Sequence, residues 1–299
     1  MALFQTVFTP AADPSFGLFI INKNPAMSHL IDRPNPSPVF LEARHIAGAA
    51  LQAQFEQEEG NVEPQVDYRW IKAELTWPSF DHLTFGYGNQ IFSVLVDVTH
   101  DGKFGLTEQQ IDRCLEACSE NNLIPCVFRV NPNPIRPASA GWNLQHLVTN
   151  NPVVPKEWAN SEMVEMSAWE LQNFSIQIIR NHIDEIGGEV LSFCDVPGID
   201  PQIWFRDKAG NRAWVVVRHF PKLSDDQASP WMGFEKSNPQ LSDYDGYFAA
   251  LSIASGEPIL LNRDGSVIPP SERFTGLAPL YRGSMFDINF DKLQRIFVS

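Results

Sequence analysis

The sequence predicts an α/β (α+β) fold of two tandem domains, each a mixed central sheet flanked by helices. Three observations support this class. Stretches with helical apolar spacing alternate with short apolar runs typical of strands. The order helix, strand, hairpin, strand occurs twice, and 299 residues suffice for two domains of ordinary size. A segment rich in Pro, Asn and Ser, residues 131–166, separates the copies and predicts domains at 1–140 and 141–299.

The first domain is predicted to follow an irregular, proline-containing segment over residues 1–36. A helix over residues 40–59 has apolar side chains at helical spacing: Leu41, Ala47, Leu51 and Phe55. The elements that follow are a strand over 70–77, a hairpin over 81–96 with its turn at 86–89, a helix opened by the capping box Thr107 and Gln110, and a strand over 124–130.

The second domain is predicted to repeat that order. Ser167 and Glu170 form a second capping box, which opens a helix that continues to Ile186. The elements that follow are a strand over 190–193, a hairpin over 200–220 with a polar turn, and a strand over 246–253. A proline-bearing loop and an apolar segment over 285–298 end the chain.

The two predicted hairpins share residue types as well as position. Each begins with an aspartate, each has an asparagine in its turn, and the second turn is three residues longer. The matching pairs are Asp81 with Asp200, Asn89 with Asn211, Phe92 with Trp214, and Val94 with Val216. Together with the repeated order of elements, these pairs indicate an internal duplication.

The charge of the chain indicates what kind of partner it has. Its net charge is −14, with nine basic and sixteen acidic residues up to position 150 and thirteen and twenty after it. Nucleic-acid binders present a basic stripe to phosphates, and no such stripe is present. Nucleic acid is therefore an unlikely partner, and we expect another protein, one that could be basic. Acidity alone also serves solubility.

The apolar patterning leads us to expect neither a membrane span nor an export signal. No apolar run approaches the ~20 residues that span a bilayer, and the N-terminus lacks the basic start of a signal peptide. We therefore expect a cytoplasmic protein. Its four cysteines are too few and too scattered for a disulfide framework. Cys114, Cys118 and Cys126 suit core packing, and the alternative of metal binding lacks a histidine at finger-like spacing.

A helix and a strand, followed by a hairpin that opens with aspartate, resemble the PD-(D/E)XK nuclease-like fold. The resemblance covers residues 167–220 and, faintly, 40–97. Asp200 stands where that family has its first metal-binding aspartate, and Glu170 matches the helix glutamate of some members. The family's Glu-x-Lys is matched by Val216, Val217 and Arg218. The resemblance implies a Mg²⁺-dependent nuclease in which two acidic groups hold the cation and a lysine orients water.

The chain departs from that motif at the residues that matter most. Val216 has no oxygen ligand, and Arg218 does not give up a proton as lysine does. The first copy has valine and leucine at these positions, residues 94–96. Both domains are therefore predicted to be inactive, with no cofactor. If the site were active, Glu170, Asp200 and Arg218 would be catalytic and Asp200 would bind the metal.

Each of these residues also has a purely structural interpretation. Asp200 before Pro201 is an ordinary turn residue, Arg218 could be one member of an ion pair, and Glu170 is explained by its capping box. A candidate binding surface consists of Trp204, Tyr281 and Arg282, although Trp204 also suits a core and the other two suit a turn.

Three functional hypotheses follow. The first is a non-enzymatic protein-binding or regulatory protein, immunity-like, built on inactive nuclease-like domains. The second is a metal-dependent nuclease with a rearranged active site, in which Asp207 or Glu189 replaces the missing ligand. The third is a structural or assembly component, suggested by 21 phenylalanines and 8 tryptophans.

Overall fold

The computed structural model describes residues 37–59, 68–72, 82–99, 105–195, 199–224 and 227–297. Within them, two mixed sheets follow one another along the chain, each flanked by a few helices, and the predicted α+β class is confirmed. We call them the first and the second unit. The predicted N-terminal segment, the later part of the predicted strand 70–77, and Asp81 lie outside the described residues.

The first unit is built on a seven-stranded sheet. Its strands β1, β2 and β3 are successively antiparallel, and β4 then joins β3 in parallel after a crossover through helix α2. Three short strands extend the sheet beyond β4. The elements are α1 (Pro38–Glu59), β1 (Tyr68–Lys72), β2 (His82–Tyr87), β3 (Gln90–Val98), α2 (Glu108–Asn121), β4 (Ile124–Pro132), β5 (Ile135–Pro137), β6 (Leu144–His146) and β7 (Pro152–Val153).

The second unit repeats this topology around a six-stranded sheet. Its first three strands are antiparallel and the fourth, β11, is parallel to the third. Where the first unit has helix α2, this unit has three short 3-10 turns over 229–241. Helix α3 (Pro155–Trp158) precedes this unit and packs on the first one, where the Trp158 ring stacks on that of His146. The elements of the second unit are α4 (Ala168–Glu185), β8 (Glu189–Phe193), β9 (Ile203–Arg206), β10 (Arg212–His219), β11 (Asp245–Ser255), β12 (Leu260–Leu261), β13 (Val267–Ile268), β14 (Phe286–Asn289) and β15 (Gln294–Phe297).

Both predicted capping boxes are present. The hydroxyl of Thr107 accepts from the backbone N–H of Gln110, and the Gln110 side chain accepts from the backbone N–H of Thr107. Ser167 and Glu170 make the same reciprocal pair at the start of α4. Each box provides acceptors for N–H groups that the first helical turn leaves unpaired.

Each sheet packs one helix against one of its faces. The apolar stripe of α1 contacts alternate residues of β2, β3 and β4, including Phe85, Phe92 and Val94. In the second unit, three isoleucines of α4 contact Phe205, Ala213, Val215 and Val217 in the same way. The other face of the second sheet packs Trp204, Trp214 and Val216 under the 3-10 turns.

These contacts correct the predicted match between the two hairpins. Phe92 faces the helix of its unit, whereas Trp214 faces away from its own. Phe85 pairs with Phe92 and Phe205 pairs with Ala213, so Phe92 corresponds to Ala213 and not to Trp214. Because strand side chains alternate between faces, this shift of one residue exchanges the two faces. The first turn is also shorter than predicted, since only Gly88 and Asn89 lie between β2 and β3.

The boundary predicted at 140/141 divides the first unit. Trp142 belongs to the first core, and β6 and β7 belong to the first sheet, because β6 pairs with β4. The connection to α4 then contacts the first hairpin, where the Asn89 Nδ2 donates to the Asn160 Oδ1 at 2.7 Å. No helix among the described residues is both long and apolar enough to cross a membrane.

Candidate functional site

Asp200 and Arg218 form an ion pair at the start of the second hairpin. The Nη2 of Arg218 lies 2.6 Å from the Oδ1 of Asp200, and their side chains are only 25% and 10% exposed. The Nε2 of Gln202 donates to the same oxygen at 2.5 Å. The predicted metal-binding carboxylate is therefore held by two protein donors, one of them charged.

The guanidinium of Arg218 is itself fixed from other sides. Its Nη1 donates to the carbonyl of Val217 at 2.8 Å, and its Cζ lies 4.5 Å from the centre of the Trp231 ring. A cation over an aromatic face is attracted by the negative charge of that face. The positive group therefore keeps its place beside Asp200, the carboxylate that the nuclease-like resemblance had predicted to bind a metal.

Gln202 completes this arrangement, and sequence reasoning missed it. Its side chain is almost fully buried, and its Oε1 accepts from the backbone N–H of Val217 at 2.8 Å. Its Nε2 donates to the carbonyl of Ile199 as well as to Asp200. One side chain thus joins the entry to β9 with the middle of β10.

Glu170 lies in a different hydrogen-bond network from Asp200. Its Oε1 accepts from the Nε of Arg282 at 2.8 Å, and its Oε2 accepts from the Nη2 of Arg282 at 2.8 Å and from the backbone N–H of Ser167 at 2.9 Å. The two charged side chains are 3% and 1% exposed. Both carboxylate oxygens are used, so the structure does not bring Glu170 to Asp200 as a second metal ligand.

Arg282 also connects the two units. Its Nη1 donates to the carbonyl of Asn122 at 3.0 Å, and its Nη2 donates to that of Asn121 at 2.9 Å. These carbonyls belong to the C-terminal end of α2, where helices leave acceptors unpaired and favour a cation. A single guanidinium therefore joins the end of α2 in the first unit to the start of α4 in the second. We call this arrangement the Arg282 clasp.

Two of the three residues predicted as a binding surface are buried, so that prediction is wrong for them. Arg282 is inside the clasp, and Trp204 is 8% exposed and packs edge-on against Tyr244 with ring centres 5.4 Å apart. Burial of a large aromatic ring stabilises the fold because it removes a large apolar surface from water. Tyr281 is half-buried and forms an isolated β-bridge with Glu165.

The acidic residues suggested as replacement ligands have other roles. Glu189 pairs with Arg206 across the strands β8 and β9. Asp207 shapes the hairpin turn, because its Oδ1 accepts from the backbone N–H groups of Ala209 at 2.9 Å and Asn211 at 2.8 Å. Burial is the largest single influence on the pKa of Asp207 and raises it, but the hydrogen bonds of the turn together outweigh burial and lower the pKa. Asp207 follows β9 and Asp200 precedes it, so they lie at opposite ends of that strand.

The first unit carries an acidic residue, not a basic one, at the position that corresponds to Arg218. With the corrected register, Asp97 takes the place of Arg218, and residues 94–96 are buried and apolar. Burial raises the pKa of Asp97, opposed by a 2.7 Å hydrogen bond from the backbone N–H of Gly105 and by nearby Arg129. Across the described ranges, no three or more His, Cys, Asp or Glu side chains gather where they could hold a metal ion.

Helix α2 carries an acidic ridge that sequence reasoning also missed. Four carboxylates recur every fourth residue, and all four are exposed: Glu108, Asp112, Glu116 and Glu120. Residues four apart lie on one helix face, where like charges destabilise the helix by ~0.2–0.5 kcal/mol per pair. None of the four forms an ion pair with another described residue. The spacing was the signal available in the sequence.

In comparisons with known proteins, one family model matches most of the second unit. A family model described as a domain of unknown function, DUF8840, matches residues 169–296, the stretch from α4 to β15. No curated protein and no solved structure matches the chain.

Proposed function

We propose that this chain is a non-catalytic protein-binding or regulatory protein, immunity-like, built on two inactive nuclease-like domains, and that its partner is basic. The observation that carries the proposal is the Arg218 guanidinium bound to the Asp200 carboxylate. In both units, one helix is followed by three antiparallel strands and then by a fourth strand parallel to the third, and this shared topology supports two copies of one domain type.

The charge arrangement argues against metal-dependent hydrolysis. Mg²⁺ takes about six oxygen ligands, of which a protein usually supplies one or two as carboxylates while water and substrate phosphates supply the others. Asp200 offers one carboxylate, and the neighbouring guanidinium would repel Mg²⁺ at short range. Val216, at the position of the second ligand, is fully buried on the face opposite to α4. These features support the proposal that the scaffold does not polarise a phosphate through a bound cation.

Titration with Mg²⁺ tests the absence of catalysis. We expect no binding heat by isothermal calorimetry and no cleavage of plasmid DNA in the presence of Mg²⁺, for the wild type and for Asp200→Ala alike. Magnesium-dependent cleavage that Asp200→Ala abolishes would contradict the proposal and support the rearranged nuclease.

The acidic ridge of α2 is the surface that best suits a basic partner. Its carboxylates are exposed and have no basic partner among the described residues, so their field extends into solvent. Complementary charge speeds association and selects among partners. The repulsion within the ridge would fall when a basic surface binds.

Neutralising the ridge tests this partner class. With a lysine-rich peptide as the probe, Glu116→Gln with Glu120→Gln is expected to weaken binding roughly 2- to 30-fold, because exposed ion pairs are worth ~0.2–1 kcal/mol each. The matched control is Glu257→Gln with Glu272→Gln, which removes the same charge from exposed positions of the second unit. Fluorescence anisotropy at low salt measures both. Equal weakening by the two double variants would show that the ridge has no special role.

A further inference from the structure

Two thiols lie side by side on the buried face of α2, opposite the acidic ridge. The Sγ atoms of Cys114 and Cys118 are 3.9 Å apart, and the Oγ of Ser93 lies 3.8 Å from the Sγ of Cys114. The cysteines are only 5% and 3% exposed. The surrounding side chains are apolar: Leu95, Leu106, Ile111, Leu123 and Leu147.

This geometry does not favour a disulfide. The sulfur atoms of a disulfide are about 2.05 Å apart, and its Cβ atoms are usually ~3.5–4.5 Å apart. Residues four apart on a helix have Cβ atoms ~5–6 Å apart. Oxidation of Cys114 and Cys118 to a disulfide would therefore require the last turns of α2 to unwind.

A single ion between the sulfurs fits the spacing better. Metal–sulfur bonds of ~2.3 Å allow one ion to bridge two sulfurs up to ~4.6 Å apart. The observed separation of 3.9 Å is within that reach and corresponds to a bent sulfur–metal–sulfur angle. A small rotation of either cysteine side chain would bring that angle closer to linear. Zn²⁺ takes four protein ligands in structural sites, whereas among the described residues no third Cys, His, Asp or Glu side chain joins these two thiols in a group that could hold a metal ion. Cu⁺ is a soft ion that two thiolates can satisfy.

We propose that Cys114 and Cys118 form a two-thiolate site for Cu⁺. On binding, each thiol gives its proton to the solvent, two sulfur–copper bonds form, and no group is oxidised or reduced. The bound unit carries one negative charge, which the Ser93 hydroxyl can stabilise by donating a hydrogen bond to the Cys114 sulfur. This site does not depend on the proposed partner binding, because it uses the opposite face of α2.

Binding of Cu⁺ at this pair is expected to depend on pH. A thiolate rather than a thiol is the metal ligand. Cu⁺ binding to the reduced protein should therefore release protons and strengthen as the pH rises.

The test is an anaerobic titration of the full chain with Cu⁺ alone, in competition with a chromogenic chelator. We expect the wild type to hold one ion, and Cys114→Ala and Cys118→Ala each to weaken binding more than about 100-fold, since loss of an outer-shell partner already costs 10–100-fold. The matched control is Cys194→Ala, a buried thiol of the second unit, which should bind as the wild type does.

X-ray absorption on the copper-loaded wild type gives a second measurement that needs no variant. Two sulfur neighbours and no nitrogen or oxygen neighbour support the site. Copper bound to nitrogen or oxygen would overturn it, as would wild-type affinity no higher than that of the folded Cys114→Ala variant. If an alanine variant fails to fold, by circular dichroism, the absorption result decides alone.

Discussion

Replacing Arg282 by methionine is expected to lower the free energy of unfolding by about 3–5 kcal/mol. The change leaves the Glu170 carboxylate buried without its positive partner, and it removes the donors to the carbonyls of Asn121 and Asn122. An uncompensated buried charge costs far more than the ion pair itself contributes. Urea denaturation followed by tryptophan fluorescence measures the loss.

Two further variants separate the charge from the loss of packing. Arg263→Met removes an exposed pair with Glu165, whose side chains are 61% and 47% exposed, so it should cost less than about 1 kcal/mol. Glu170→Gln combined with Arg282→Met removes the buried charge and keeps an acceptor for Ser167. We expect this double variant to be more stable than Arg282→Met alone. If Arg282→Met lowered the free energy of unfolding no more than Arg263→Met does, the clasp would not stabilise the fold.

Replacing Gly246 by alanine is expected to cost at least about 1–3 kcal/mol, the usual effect of overpacking a filled core. A Cβ atom at Gly246 would lie 2.2 Å from the Cζ2 and 2.4 Å from the Cη2 of Trp214. Trp214 is fully buried and faces Gly246 across the parallel pair of β10 and β11. The indole ring is rigid, so either the whole ring or the strand β11 must shift to make room for the added methyl group. Chemical denaturation at equilibrium measures this loss too.

Gly86 supplies the matched control, because it is also a glycine within a paired strand. A Cβ atom there would meet only the side chains of Arg69 and Ile71, no closer than 3.5 Å. Gly86→Ala should therefore be neutral or slightly stabilising, since glycine in a strand costs about 0.5–1 kcal/mol relative to alanine. Trp214→Phe should reduce the cost of Gly246→Ala in a double-mutant cycle. Equal stability of Gly246→Ala and Gly86→Ala would contradict the predicted clash.

Local sequence determined much of this fold. The capping boxes at Thr107 and Ser167 place two helix starts, because their hydrogen bonds join residues three apart. The polar run after Phe205 places the second hairpin, and the order of elements reveals two copies of one topology. The candidate site was predictable in part, since the sequence already indicated Asp200 as a turn residue and Arg218 as one member of an ion pair.

The tertiary structure alone decided which residues meet. The register of the two hairpins depends on which face packs against a helix, and single-residue matches along the sequence do not report this. Arg282 lies 112 positions after Glu170 and reads as an exposed turn residue, yet it is buried in the clasp. Such contacts depend on how distant segments pack, because local patterns specify hydrogen bonds between near neighbours but not which far part of the chain covers them.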